Sequence, residues 1–235
     1  PRWAAQQDRG AYWQHGSVCE DYARMTVPVL SWGGWADNYM NTVAHLVENV
    51  PAPVKGIVGP WVHQYPHTAV PGPAIGFLQE AVRWFEHFLK GVENDVMAEP
   101  KLRAFIQDST PPRTHHEHRD GRWIGERDWP SPEVRCHDLH LTDAGLREAP
   151  GPLSATPVPY NLVVGQFGGD WGAIAMPHEQ APDQRHDDAL SLCFDGLPLS
   201  APIEILGNAV LTLRVAADRP LAMLAVRLNE IRPDG

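Results

Sequence analysis

Two short apolar runs constrain the fold of this chain more than any other feature. Residues 27–31 (VPVLS) and 54–58 (VKGIV) are rich in β-branched side chains, and glycine closes each one, as Gly33-Gly34 and as Gly59-Pro60. Runs of that length and composition read as strands buried on both faces. Between them Tyr39, Val43, Leu46, Val47 and Val50 recur at helical steps, and Pro51 and Pro53 stop that helix. After a loop rich in Pro, His and Gly, the stripe Ile75, Leu78, Val82, Phe85 and Leu89 predicts an amphipathic helix. Gly91 stands in its stop position. Strand, helix, strand, helix with short connections predicts a parallel sheet covered by helices. Trp13 to Tyr22, ahead of the first strand, reads as helical.

Beyond about Met97 the period changes to two. Leu102, Ala104 and Ile106 alternate with Arg103, Phe105 and Gln107. Leu211, Leu213 and Val215 alternate with Thr212 and Arg214, and Leu224, Val226 and Leu228 repeat the pattern. With Pro- and Gly-rich turns between them, these runs predict an antiparallel β-sandwich or jelly roll. The stretch from Asn94-Asp95 to Pro100 reads as the linker.

An apolar fraction of 43% with 20% charged residues predicts an ordered globular chain. The net charge of -10 repels phosphate backbones and anionic lipid, which makes nucleic acid and membrane surfaces poor partners. No apolar run approaches the roughly 20 residues of a membrane span. Cys19, Cys136 and Cys193 form neither a disulfide framework nor a metal clip, and they read as small core residues. The chain starts without an initiator Met or a signal-peptide pattern and stops just after a strand-like run. Both ends therefore read as cut, and the compartment is not legible.

The chemistry centres on two residues. Asp37 follows the first strand in Ser31-Trp-Gly-Gly-Trp-Ala-Asp37, and His63 follows the second in Gly59-Pro-Trp-Val-His63. Catalytic groups of open parallel sheets gather beyond the carboxyl ends of strands, and one helical crossover separates this pair. An Asp that orients a His is one half of nucleophilic acyl-transfer machinery. The plainer alternative makes Asp37 a helix cap and His63 an incidental loop residue. No Ser stands in a Gly-x-Ser-x-Gly elbow. In the order Ser…Asp…His the nucleophile would precede Asp37, so its absence fits a chain that begins partway through a longer protein.

Several pieces together resemble the cocaine esterase / X-prolyl dipeptidyl peptidase family of serine α/β-hydrolases. They are Tyr12-Trp13, Thr26-Val-Pro-Val, Gly33-Gly-Trp-Ala-Asp37, Gly59-Pro-Trp-Val-His63, Pro71-Gly-Pro-Ala-Ile-Gly-Phe-Leu-Gln-Glu80, Arg83-Trp84 and Leu89-Lys-Gly91. Further on, Trp129-Pro130, Leu139-His-Leu-Thr142, Leu206-Gly207 and Val226-Arg-Leu228 are similar to its jelly-roll domain. The resemblance implies the tail of a helical cap over 1–24 and the last part of an α/β-hydrolase core over 25–96. A jelly-roll, galactose-binding-like β-sandwich, cut at its C-terminus, would fill 97–235. It implies Asp37 and His63 as catalytic, with no cofactor and no metal, and a small-molecule ester or peptide as substrate. The oxyanion-hole positions of the family have no counterpart here. The α-amino-acid ester hydrolase branch carries acids two and three positions after its catalytic Asp. Tyr39 and Met40 stand there instead, which disfavours an α-amino acyl donor. Trp32 and Trp35, flanking Asp37, are candidates for an apolar substrate pocket, with packing under the loop as the alternative. The fragment itself is expected to be inactive, and its assembly state stays open, a homo-oligomer included.

Thr114-His-His-Glu-His118 could supply metal ligands, but adjacent histidines on extended chain point opposite ways, so a solvated loop is the better reading. His67 is set aside as the base because it lies outside the motif. Asp183, Asp187 and Asp188 around His186 read as a solvated acidic loop rather than a Ca²⁺ site. The competing function is a binding or scaffolding protein whose β-sandwich recognises glycan or a partner while the α/β part is inert.

Overall fold

A computed structural model describes residues 2–169 and 180–233. Two compact units emerge among them, one over residues 2–133 and the other over 134–168 and 181–233. Residues 170–179 and 234–235 of the expected β-sandwich lie outside the described residues.

The first unit is built on a four-stranded sheet in the order β1-β2-β3-β4. Its strands are β1 (Val29–Gly34), β2 (Val54–Gly59), β3 (Leu102–Gln107) and β4 (Gly121–Glu126). β1 and β2 run parallel with Val29 opposite Val54 and Gly34 opposite Gly59. β3 joins β2 in parallel and β4 closes the sheet antiparallel to β3. This is a mixed sheet consistent with part of an α/β hydrolase. The alternation at residues 102–107 yields a strand, and that strand extends the sheet of β1 and β2 across residue 97. Period two predicts a strand but says nothing about its partner.

Before β1 the chain makes a single helical turn, α1 (Ala11–His15), and short 3-10 turns rather than one helix. Between β1 and β2 runs α2 (Met40–Asn49), which packs on one face of the sheet. Val43 and Val47 fit there because Gly33 and Gly56 are opposite. A Cβ on Gly33 would lie 2.8 Å from Val43, and one on Gly56 would lie 2.6 Å from Val47. With Val50, Val54, Val58 and Leu102 the two valines form the main buried cluster.

The other face carries α3 (Phe77–Lys90), which ends where Gly91 turns left-handed at φ 69°. Phe77 meets Trp32 edge-on, with centroids 4.8 Å apart. Glu80 receives Arg103 Nη1 at 3.0 Å and Nη2 at 2.8 Å, and Arg83 Nη2 reaches Glu99 at 2.6 Å. The helix forms as its periodicity predicts, but Leu78, Val82, Phe85 and Leu89 are exposed and Trp84 is the buried residue. Trp84 and the ion pairs of Glu80 and Arg83 face the rest of the unit, and the apolar stripe faces away from it.

The second unit holds a hairpin, β5 (His140–Thr142) and β6 (Gly145–Arg147), and a helical turn, α4 (Arg185–Asp188). No ladder forms at residues 211–215 or 224–228, whose apolar side chains are exposed. The three cysteines are exposed rather than core residues, because each lies on a surface turn or loop. Asp187 is fully buried instead of solvated. Its Oδ2 accepts the Phe167 amide at 3.1 Å and lies 3.6 Å from Arg227 Nη1. Asp188 takes Arg227 Nη2 at 2.7 Å.

Candidate active site

Gly34 and Gly59 form the last rung of the parallel ladder, yet the backbones stay tied beyond it. Trp35 N donates to Gly59 O at 2.9 Å, and Ala36 N donates to Trp61 O at 3.1 Å. This approach requires glycine at position 34, since a Cβ there would sit 1.8 Å from Trp61 O. Asp37 N then donates to Gly34 O at 3.2 Å and turns the chain back. On the second loop, Trp61 is buried and its indole N–H donates to Pro73 O at 2.8 Å. Val62 N donates to Val70 O at 3.0 Å, and Gln64 Oε1 accepts the Val70 amide at 3.2 Å. Backbone bonds thus fix both loops before any charged side chain is considered.

These constraints bring Asp37 and His63 together. Asp37 is 7% exposed, and its Oδ2 lies 2.9 Å from His63 Nδ1. Its Oδ1 accepts the Tyr39 amide at 2.8 Å, a contact from residue i to i+2 at the start of α2. The helix-start role and the histidine contact therefore coexist, one on each oxygen. An ionised carboxylate facing Nδ1 places the ring proton there and leaves Nε2 as the basic nitrogen. The His63 side chain is 41% exposed, and Nε2 has no hydrogen-bond partner among the described residues. The Tyr39 ring stands 5.5 Å from the imidazole, tilted by 57°. Such an arrangement can accept a proton at Nε2 and hold the resulting imidazolium against a buried carboxylate.

The flanking tryptophans differ. Trp35 packs against the main cluster and its indole N–H donates to Phe105 O at 2.7 Å. Trp32 lies between the Ile57–Trp61 cluster and Phe77, and its Nε1 is buried with no hydrogen-bond partner among the described residues. His67 stacks on Phe77 at 5.5 Å, clear of the Asp–His contact. The segment of His115 to His118 pairs by backbone with Gly72, and no metal-binding cluster exists among the described residues. No helix among them is long and apolar enough to cross a membrane. Sequence reasoning missed the requirement for Gly34 and the Tyr39 amide. The Gly33-Gly34 doublet was a signal for the first, since two glycines exceed what ending a strand needs.

Residues 1–65, which include both Asp37 and His63, match the family model described as X-Pro dipeptidyl-peptidase (S15 family). Residues 94–235 match that of the X-Pro dipeptidyl-peptidase C-terminal non-catalytic domain. The chain is 25% identical over 261 residues to cocaine esterase from Rhodococcus sp. (strain MB1 Bresler), an alignment covering 97% of this chain and 42% of that protein. The crystal structure of a CocE/NonD family hydrolase from Staphylococcus aureus aligns with a TM-score of 0.48 at 15% identity, over 63% of this chain and 26% of that one. The chain thus spans less than half the length of these relatives. By the family models that match its two portions, the chain belongs to the cocaine esterase / X-Pro dipeptidyl-peptidase family of hydrolases.

Proposed function

We propose that this chain carries the acid–base half of a serine hydrolase that cleaves an ester or peptide bond through an acyl-enzyme. The observation that carries the proposal is the 2.9 Å contact between His63 Nδ1 and Asp37 Oδ2 beyond the carboxyl ends of two parallel strands. In the complete protein a serine from a segment ahead of this chain attacks the acyl carbon. His63 Nε2 takes the serine proton and passes it to the leaving group, while Asp37 orients the ring and stabilises the imidazolium. Water then enters by the same relay, releases the acid and restores the serine. The open edge of β1 and the exposed stripe on α3 support a place for that missing segment.

The fragment alone is expected to be inactive. Trp32 is the better supported of the two pocket tryptophans, because Phe105 already takes the indole N–H of Trp35. The helical-cap tail over 1–24 and core over 25–96 remain part of this proposal. The β-sandwich reading beyond residue 97 rests on the match of residues 94–235 to a non-catalytic domain, whereas the run at 102–107 joins β2 and those at 211–215 and 224–228 form no ladder. His63→Ala in the complete protein should lower kcat by about 10⁴-fold or more. Near-wild-type hydrolysis by that variant would defeat the assignment. A panel of p-nitrophenyl esters against Xaa-Pro anilides separates esterase from dipeptidyl-peptidase action.

A further inference from the structure

At the amino ends of β2 and β3 lies a cavity of about 430 Å³. Five rises of about 3.3 Å along β2 separate it from the rim where Asp37 and His63 meet, roughly 16 Å. Val50, Pro51 and Met97 supply apolar groups to a lining that is more polar than apolar, and Lys55, Lys101 and Arg127 bring three cations to it. We propose that this cavity binds a small organic anion with an apolar body, a carboxylate on a short hydrocarbon chain.

The charge argument is specific. Lys55 is 6% exposed, and its ammonium donates to the carbonyls of Met97, Glu99 and Pro100. Three carbonyls satisfy its three N–H groups without neutralising its charge. Burial pushes its pKa below the lysine range, the expected sign for an under-compensated cation. Glu99, the one acid on the wall, partly offsets that effect on Lys55, but it is shared with two arginines: Oε1 pairs with Arg83 at 2.6 Å and Oε2 lies 3.9 Å from Arg103. Lys101 and Arg127 have no ion-pair partner among the described residues and can supply the donors. In a chain of net charge -10, a cavity with surplus positive charge is out of character for the rest of the surface. Its volume is in the range of small-ligand sites, and Val50, Pro51 and Met97 offer a short hydrocarbon chain contacts beside the cations that a bare inorganic ion cannot use.

Calorimetric titration with sodium hexanoate, at constant ionic strength in phosphate-free buffer, tests this on the chain and on the complete protein. Saturable binding is expected, weakened at least about ten-fold in a Lys101→Ala/Arg127→Ala variant. Those two side chains leave the carbonyl cradle of Lys55 intact, so the variant should keep the wild-type unfolding midpoint. Hexanol and inorganic phosphate should each bind at least about ten-fold more weakly than hexanoate, and His63→Ala should leave the titration unchanged. Absence of saturation, equal affinity in the double variant, or phosphate binding as tightly as hexanoate would overturn the proposal.

Discussion

Replacing Gly34 by Ala is the sharpest perturbation of the candidate site, because the intruding atom meets backbone and nothing flexible. The new methyl carbon would lie 1.8 Å from Trp61 O and 2.5 Å from Trp61 C. A carbon–oxygen contact needs about 3.3 Å, so the two loops must part by about 1.5 Å. The bonds from Trp35 N and Ala36 N, now 2.9 and 3.1 Å, would then pass beyond hydrogen-bond range, and so would the 2.9 Å Asp37–His63 contact. Two lost backbone bonds and the overpacking together cost about 3–5 kcal/mol. Urea unfolding followed by tryptophan fluorescence should show a midpoint lower by about 2 M. In the complete hydrolase, kcat should fall about 100-fold through misplacement of the histidine. Gly33→Ala supplies the contrast, since its methyl meets only the tip of Val43, and its effect should be the smaller. A Gly34→Ala protein with the wild-type midpoint and undiminished turnover would refute the view that backbone contact assembles the pair.

Arg103→Met breaks the two-pronged contact with Glu80 and should lower stability by about 1 kcal/mol, measured as a midpoint shift that narrows in high salt. Asp187 supplies a pH test in the second unit. Burial raises its pKa, but the Phe167 and Gly165 amides and the Arg227 guanidinium outweigh burial and hold the carboxyl below its ordinary value. A depressed folded pKa contributes stability above the unfolded value of about 3.9 and loses it as pH falls through the folded value. The wild type should therefore lose stability relative to Asp187→Asn below about pH 4, in parallel acid-unfolding curves.

The order of elements in the first unit was legible because period and punctuation agree there: apolar runs closed by glycine, helical stripes closed by proline or Gly91. Asp37 and His63 were legible for a related reason, since strand ends place loops and the two motifs sit on those loops. What periodicity hides is partnership. Residues 102–107 announce a strand, but joining β2 depends on long-range hydrogen bonds that alternation does not encode. Trp32 and Trp35 look alike in sequence, yet only the distant Phe105 carbonyl distinguishes them. Asp187 read as solvated because its neighbours are acidic, and the group that pairs with it, Arg227, lies 40 positions away. The stripe on α3 predicted a buried face, whereas in this chain Trp84 is the residue it buries, with the ion pairs of Glu80 and Arg83 alongside.

Main-chain atoms of residues 34–36 and 59–61 carry the alignment on which the proposed proton relay depends. The exposed side chains of Tyr39 and Met40 take no part in those bonds and are accordingly freer to diverge than the buried Trp35 and Trp61. A descendant of this protein could exchange Tyr39 or Met40 and meet a new acyl group while the imidazole kept its bearing. Substrate preference can drift here without the reaction itself being put at risk.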